Sequence, residues 1–170
     1  MSALSVSRLD LVTTWGVIRL AARSGALLRC DLPVRQTART APRITLCQMS
    51  AVTTADRCAL ERAGKFIRAC LAGKKTPAAP ALQPKVSGAF TARLLAALQE
   101  IPRGVTVTYG ELARRLGRPG AARAVGNACG ANPLPLFIPC HRVVAAGGAP
   151  GGFSAGRAWK KFLLASEGAG

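Results

Sequence analysis

The first third of the chain carries short apolar runs followed by one longer segment whose apolar residues recur at helical spacing. Residues 13–20 (TTWGVIRL) and 26–32 (ALLRCDL) predict two strands, joined by a turn at residues 23–25. Residues 55–71 (ADRCALERAGKFIRACL) predict an amphipathic helix. These elements indicate a small N-terminal α/β domain over residues 1–72.

The amino-acid composition changes after this helix. Residues 73–88 (GKKTPAAPALQPKVSG) are rich in proline and glycine, which is typical of a linker or a long surface crossing. Beyond them, apolar residues at helical spacing predict three helices, over residues 90–101, 109–116 and 121–130. We assign residues 89–170 to a second domain.

The last two of these helices have the outline of a helix-turn-helix, because a short glycine-bearing turn separates them. Thr108 stands directly before the first of the pair and Glu111 follows three residues later, as a capping box requires. A plain structural hairpin of helices explains the same pattern. Four nearby arginines favour DNA as the partner: Arg114, Arg115, Arg118 and Arg123.

Composition and charge narrow the function classes. With 170 residues, 49% of them hydrophobic, the chain is expected to fold as a globular protein. Its 24 Lys and Arg residues against 7 Asp and Glu give a formal net charge of +17. Such an excess favours a polyanionic partner, above all a nucleic acid. General solubility, or a basic ribosome-associated protein, is the alternative interpretation.

The sequence predicts neither a membrane span nor a secretory signal. No run of bulky apolar residues reaches the length of a spanning helix, and residues 1–15 lack the compact apolar block of a signal peptide. We therefore expect an intracellular protein with no membrane partner, cytoplasmic and nucleoid-associated, or nuclear if its source is eukaryotic.

The six cysteines are scattered and form no C-x-x-C pair, and the chain has a single histidine. A zinc site of ordinary spacing is therefore not expected, and we predict no metal site. Buried free thiols are the expected state. Pairing among the first four cysteines stays open for a hyperthermophilic source: Cys30, Cys47, Cys58 and Cys70.

The one histidine, His141, directly follows Cys140, between Pro139 and Arg142. A thiolate is the nucleophilic form of cysteine, and a neighbouring histidine or cation lowers its pKa. Adjacent residues on a strand point to opposite faces, however, so a bridging water or a bend at the proline is needed to connect the two side chains. From residue types alone, a chance dipeptide in a core strand is the better interpretation.

The wider motif changes this assessment. The string NPLPLFIPCHRV resembles the active-site signature of the O6-alkylguanine-DNA alkyltransferases. The similarity extends from IPRGVTVTYGELARRLGRPGAARAVGNACGA before it to GGFSAG and WKKFLLASEG after it, and TTWGVIRLAARSGALLRCDL is similar to the family's opening hairpin. It covers nearly the whole chain and is strong from residue 88 onward. The resemblance implies a mixed α/β (α+β) fold, in which a small ribonuclease-H-like domain precedes a winged helix-turn-helix-like domain.

The resemblance also implies an activity and the residues behind it. An alkyl group, typically methyl, would move from the O6 atom of a guanine turned out of double-stranded DNA to Cys140, once per protein and without a cofactor. His141 would take the thiol proton through a water, and Glu167 would hold that histidine and favour its charged form. Asn132 matches the family's hinge asparagine. Tyr109 matches a tyrosine that crowds the target phosphate and donates to the guanine ring.

Further roles follow from the same resemblance. Arg123 would enter the base stack and fill the space of the extruded base. Small residues would let its helix approach the minor groove closely: Ala121, Ala122, Ala124 and Gly126. Side chains and backbone groups of four residues would form the substrate pocket: Pro135, Val143, Phe153 and Ser154. Without the resemblance, most of these residues are equally well explained by packing, turns or solvated charge.

Three other function classes compete with this prediction. Alkyltransferase-like proteins recognise the lesion without repairing it, but they replace the cysteine that is present here. Bifunctional transcription regulators carry an additional cysteine-rich zinc domain, for which this chain has neither length nor spacing. A cysteine hydrolase would turn over repeatedly and would not need the positive charge. We expect a monomer; the range of accepted alkyl groups and cooperation along DNA stay open.

Overall fold

The computed structural model describes residues 6–169, so residues 1–5 and Gly170 of the two predicted domains lie outside the described part. The chain divides into two compact units. The N-terminal unit comprises the residues up to 33 together with residues 40–85, and the C-terminal unit comprises residues 34–39 together with the residues from 86 onward. Both strands and helices are present, which confirms the mixed α/β class. The short segment 34–39 belongs with the C-terminal unit, a feature that no sequence signal predicted.

The N-terminal unit is built on a four-stranded antiparallel sheet in the order β3-β2-β1-β4. Its strands are β1 (Ser7–Thr13), β2 (Gly16–Arg23), β3 (Ala26–Asp31) and β4 (Ile44–Ser50). Alternate residues of β1 and β2 are buried against a helix, as expected for a sheet with one covered face. The edge strand β4 is exposed along nearly its whole length.

The predicted strand over residues 13–20 is confirmed from Gly16 onward, but its start is wrong, because a tight turn separates Thr13 from Gly16. The Thr13 hydroxyl donates to the Gly16 carbonyl at 2.6 Å and accepts from the Trp15 amide at 3.1 Å. Gly16 has a φ of 119°, which other residues rarely adopt. β1 therefore ends at Thr13 and β2 begins at Gly16. The second predicted strand, over residues 26–32, is confirmed as β3, and so is the turn before it.

Helix α1 (Thr54–Leu71) covers the sheet, which confirms the prediction of a helix over residues 55–71. Its N-cap is Thr53, whose side chain accepts from the Asp56 amide at 3.1 Å. The buried Asp56 carboxylate in turn accepts from the Gly25 amide at 2.8 Å and the Ser7 hydroxyl at 2.9 Å. One side chain thus fixes the start of the helix to β1 and to the β2–β3 turn.

The C-terminal unit contains four helices and a short parallel pair of strands. The helices are α2 (Ala89–Gln99), α3 (Tyr109–Arg115), α4 (Ala122–Gly130) and α5 (Arg157–Glu167), and the strands are β5 (Val107–Thr108) and β6 (Val143–Val144). The three predicted helices are confirmed within two residues at each end. The capping box is confirmed as well: the Glu111 amide donates to Thr108 Oγ1 at 3.1 Å, and the Thr108 amide donates to Glu111 Oε2 at 2.6 Å.

Within residues 6–169, no helix combines the length and the apolar character needed to cross a membrane. None of the six cysteines of this part forms a disulfide bond. The expectation that they are buried is wrong for Cys47 on the exposed edge strand and for Cys58 on the outer face of α1.

Candidate active site

Cys140 and His141 lie in a single helical turn rather than in a strand. Residues Cys140–Arg142 form one 3₁₀ turn that leads directly into β6, and Val143 of β6 pairs with Val107 of β5. Pro139 sets the bend before the turn, with φ −80° and ψ 63°. The two side chains therefore do not have to point to opposite faces, as adjacent residues of a strand do.

Asn132 closes the loop that carries these residues. Its Nδ2 donates to the Ile138 carbonyl at 2.8 Å, and its Oδ1 accepts from the Leu134 amide at 3.0 Å. Asn132 follows the C-cap of α4 directly, so it connects the second helix of the helix-turn-helix to the Cys140 turn. Its side chain also hydrogen bonds to Cys140, which lowers the pKa of that thiol.

The Cys140 thiol faces a cavity of about 520 Å³ within the C-terminal unit. One wall is α4, through residues that include Ala122, Arg123, Gly126 and Cys129. The opposite wall is the loop that precedes α5, through Gly152, Phe153 and Ser154, and Tyr109 also contributes. The cavity has room for a small aromatic ligand such as a purine.

Seven of the fourteen predicted site residues line this cavity: Tyr109, Ala122, Arg123, Gly126, Cys140, Phe153 and Ser154. Four others do not line it: Ala121, Asn132, His141 and Glu167. Ala124 is exposed on α4, whereas Pro135 and Val143 are buried and are not among the lining residues. Sequence reasoning missed the lining residues Asn127, Cys129, Gly130 and Gly152.

His141 is fully packed and held from one side. Its Nε2 lies 3.1 Å from Glu167 Oε1, while its Nδ1 is buried and has no hydrogen-bond partner among the described residues. Burial lowers the pKa of His141, and the hydrogen bond and charge of Glu167 raise it only in part. Glu167 thus acts in the expected direction, but burial outweighs it, and the resting imidazole is neutral at pH 7.

Burial also raises the pKa of the Cys140 thiol above its ordinary value near 9. The hydrogen bond from Asn132 and the ammonium of Lys160 oppose that shift without cancelling it. The resting thiol is therefore protonated, contrary to the lowering expected from its histidine neighbour. A base must remove the proton before the sulfur can act as a nucleophile.

Lys160 is a site residue that the sequence prediction missed. Its side chain is fully buried, and its Nζ donates to the carbonyls of Val143 at 2.6 Å and Gly152 at 3.1 Å and to the Tyr109 hydroxyl at 3.4 Å. All three ammonium protons thus have an acceptor. The signal was its spacing, since Lys160 precedes the buried Leu163 and Leu164 by three and four residues on α5.

Two glycines position Tyr109. A Cβ atom at Gly151 would lie 3.0 Å from the Tyr109 hydroxyl oxygen, and one at Gly126 of α4 would lie 3.8 Å from its ring. Gly151 also has a φ of 69°. Burial raises the pKa of Tyr109, so its hydroxyl stays protonated and able to donate a hydrogen bond.

The chain is similar to several known proteins. The model of the 6-O-methylguanine DNA methyltransferase DNA-binding domain matches residues 89–169. A methylated-DNA–protein-cysteine methyltransferase of Mycolicibacterium paratuberculosis is 51% identical over 78 residues, 46% of this chain and 47% of that protein. One of Salmonella typhimurium is 49% identical over 79 residues, 46% of each protein. The crystal structure of Mycobacterium tuberculosis OGT in complex with DNA is similar at 34% identity and a TM-score of 0.75, covering 94% of this chain and 91% of that chain.

Fold and site together define a helix-turn-helix protein with a buried cysteine thiol beside the second helix. The chain belongs to the O6-methylguanine-DNA methyltransferase family. The matched region spans about half the length of the curated relatives.

Proposed function

We propose that this protein repairs DNA directly, by moving the alkyl group of an O6-alkylguanine irreversibly to its own Cys140. The observation that carries this proposal is the position of Cys140, which lines a purine-sized cavity and is followed directly by His141, whose Nε2 lies 3.1 Å from Glu167 Oε1. The partner in this proposal is double-stranded DNA that contains the lesion. The protein acts as a monomer and needs no cofactor.

The chemistry is a single displacement at a saturated carbon. The Cys140 sulfur attacks the alkyl carbon, a C–S bond forms, and the electron pair of the breaking C–O bond goes to the guanine. His141 is the base, because its Nδ1 is the ring nitrogen without a protein partner and can take the thiol proton through a water. A thioether is not hydrolysed under cellular conditions, so each protein reacts once.

The leaving guanine needs a proton or a strong hydrogen bond as its charge develops. Tyr109 is suited to this role, since it lines the cavity and its hydroxyl lies 3.4 Å from the Lys160 ammonium. The proton that His141 takes from the thiol replaces the one that Tyr109 gives to the guanine, so Tyr109 ends protonated and His141 ends neutral. The reaction thus begins and ends without a net charge change in the cavity.

DNA binding is assigned to the helix-turn-helix, with α4 facing the minor groove. Arg123 is exposed on that helix and also borders the cavity, which suits a side chain that replaces an extruded base. The net charge of +17 favours phosphate contacts, so binding should depend weakly on sequence and strongly on salt. A DNA substrate places the protein with the chromosome, in the nucleoid or, in a eukaryote, in the nucleus.

The test is intact mass spectrometry after incubation with an oligonucleotide duplex containing O6-methylguanine. We expect a gain of one methyl group per protein, mapped to Cys140, and no gain in Cys140→Ala. Cys58→Ala, which removes an exposed thiol of α1, should still gain the methyl group. Restoration of the guanine without modification of Cys140 would refute the proposal.

A further inference from the structure

A second thiol faces the cavity that holds Cys140. Cys129 lies in the last turn of α4, is buried, and lines the same cavity. The proposed alkyl transfer uses only Cys140, so it leaves Cys129 without a role. Ten residues lie between the two cysteines in the chain, and Asn132 closes the loop that they form. Closing so short a loop costs little conformational entropy.

The two thiols share one buried cation. The Lys160 ammonium lowers the pKa of Cys129 and of Cys140, and either thiolate would raise the pKa of Lys160. Burial and a negative charge on Cys140 raise the pKa of Cys129 to about 12. One thiolate beside one thiol is therefore the stable deprotonated form. A metal ion would need both thiolates and would be repelled by the ammonium, so this pair suits oxidation chemistry better than metal binding.

We propose that Cys129 and Cys140 form a disulfide when the protein meets a peroxide, and that this bond reversibly blocks the alkyl acceptor. The consequence for repair rests on the proposed function, whereas the disulfide itself does not. A peroxide molecule is small enough to enter the cavity from solvent. Cys129 sits in the last turn of its helix, where local rearrangement leaves the middle of α4 intact.

The reaction proceeds in two balanced steps. The Cys140 thiolate attacks one oxygen of hydrogen peroxide, an S–O bond forms, and the O–O bond breaks to release hydroxide, which takes up the thiol proton as water. Cys129 then attacks the sulfur of the resulting sulfenic acid, an S–S bond forms, and the hydroxyl group leaves with the Cys129 proton as a second water. Two thiols and one peroxide thus give one disulfide and two waters.

This step protects the acceptor from permanent loss. Further oxidation of a sulfenic acid gives sulfinic acid, which ordinary thiol reductants do not reverse. A disulfide is reduced back to two thiols by the same reductants. Cys129 would therefore serve as a resolving thiol for Cys140, and its removal should turn reversible inactivation into irreversible inactivation.

The experiment uses the full chain with Cys47→Ser and Cys58→Ser, which removes the two exposed thiols of the N-terminal unit. The reduced protein is treated with hydrogen peroxide, and free thiols are blocked before proteolytic peptide mapping without reductant. We expect a peptide pair linked through Cys129 and Cys140 with the loss of two hydrogen atoms. After reduction with dithiothreitol, methyl transfer to Cys140 should return to nearly its untreated level.

Two controls sharpen this test. The added substitution Cys129→Ala should abolish the linked pair, leave sulfinic acid on Cys140 and reduce methyl transfer after dithiothreitol by about tenfold or more. Cys30 and Cys70 are buried near each other in the N-terminal unit and line no part of the cavity, so they should stay reduced. A linked Cys30–Cys70 pair at equal yield, or a Cys129 that stays reduced while Cys140 is oxidised, would overturn the inference.

The two proposals fail separately. Absence of methyl transfer in the untreated, reduced protein counts against the alkyl transfer and leaves the mapped disulfide unaffected. Normal methyl transfer without the linked peptide pair counts against the disulfide alone.

Discussion

The carboxylate of Glu167 binds the guanidinium of Arg142 with both of its oxygens, at 2.9 Å from Nε to Oε2 and 2.8 Å from Nη2 to Oε1. Arg142 also donates through Nη1 to the Ile101 carbonyl at 2.6 Å. Because the same carboxylate accepts from His141, the orientation of that ring depends on an ion pair from its neighbour in sequence. The charge of Arg142 also lowers the pKa of His141 and so favours the neutral base.

Replacement of Glu167 by glutamine should destabilise the protein in a pH-dependent manner. Hydrogen bonds and charge from His141 and Arg142 hold the pKa of Glu167 well below its ordinary range, despite partial burial. A group whose pKa is lowered by folding contributes stability above its unfolded pKa, near 4.3, and loses that contribution as the pH falls. We expect Glu167→Gln to cost about 2 kcal/mol at pH 7, the usual range for a hydrogen bond to a charged group.

The check is urea denaturation at several pH values. The difference between Glu167→Gln and the unmodified protein should shrink as the pH falls below 4. The matched control is Glu100→Gln at the exposed C-cap of α2, which should change the free energy of unfolding very little at every pH. A stability difference that does not change with pH would contradict the assignment of an ionised Glu167.

Substitution of Lys160 should make the Cys140 thiol harder to ionise. The ammonium lowers the pKa of that thiol against the effect of burial, so its removal leaves the Asn132 hydrogen bond as the main remaining opposition to burial. A pKa increase of one unit corresponds to about tenfold less thiolate below the pKa. We expect alkylation of Cys140 by iodoacetamide at pH 8 to slow by about threefold to tenfold in Lys160→Met, and its rise with pH to move to higher values.

The control for this prediction is the neighbour Lys161, which is exposed on the same helix. Lys161→Met should leave the pH profile unchanged. Because Lys160→Met also leaves the carbonyls of Val143 and Gly152 without their donor, its folding is verified first by circular dichroism. An unchanged profile in a folded Lys160→Met protein would show that the ammonium does not act on the thiol.

Local sequence signals predicted four of the five helices, α1 to α4, because each has apolar residues at helical spacing. The box of Thr108 and Glu111 is an example of a purely local interaction. β4 was missed since its residues are almost all exposed, so it lacks the alternation that identifies a half-buried strand. β1 has that alternation, through Leu9 and Leu11, and the pattern could have revealed it.

The site shows the same division between local and long-range information. The motif around Cys140 pointed to the cavity, and α5 carried the spacing that buries Lys160. The bond between Arg142 and Glu167 joins residues 25 positions apart and leaves no local trace in the sequence. The ionisation states of Cys140 and His141 could not be predicted from the sequence either, because burial, and not their adjacency, sets the direction in which each pKa shifts.

Replacement of Arg123 should slow methyl transfer from duplex DNA and leave transfer from the isolated base almost unchanged. Filling the space of an extruded base offsets an unstacking cost of a few kcal/mol, a cost that a free base never meets. We expect Arg123→Ala to slow methyl transfer from O6-methylguanine in a duplex by about tenfold to a hundredfold. Transfer from free O6-methylguanine should change by less than about twofold, since the reacting groups are untouched.

Arg62→Ala on α1 of the N-terminal unit removes an equal charge from an exposed position and serves as the control. It should affect duplex repair far less than Arg123→Ala at the same salt concentration. Single-turnover kinetics on both substrates give the comparison. An equal loss of rate on duplex and free base would place the role of Arg123 inside the cavity rather than in the base stack.

Gly156 anchors the loop beside the cavity. Alanine at this position should destabilise the protein far more than alanine at Gly120, another glycine with a positive φ. The Arg35 amide donates to the Ala155 carbonyl at 2.7 Å and the Ala158 amide donates to the Arg35 carbonyl at 3.2 Å, so the Arg35 backbone lies against Gly156. A Cβ at Gly156 would collide with that backbone, whereas one at Gly120 would meet nothing within 4 Å. Both positions have a positive φ, 96° at Gly156 and 89° at Gly120, which alanine rarely adopts, and the ψ of 158° at Gly156 lies in a region that is essentially restricted to glycine. Thermal unfolding should therefore show that Gly156→Ala lowers the free energy of unfolding by about 2 kcal/mol or more beyond the effect of Gly120→Ala. Equal decreases for the two variants would mean that the segment around Arg35 does not hold the loop.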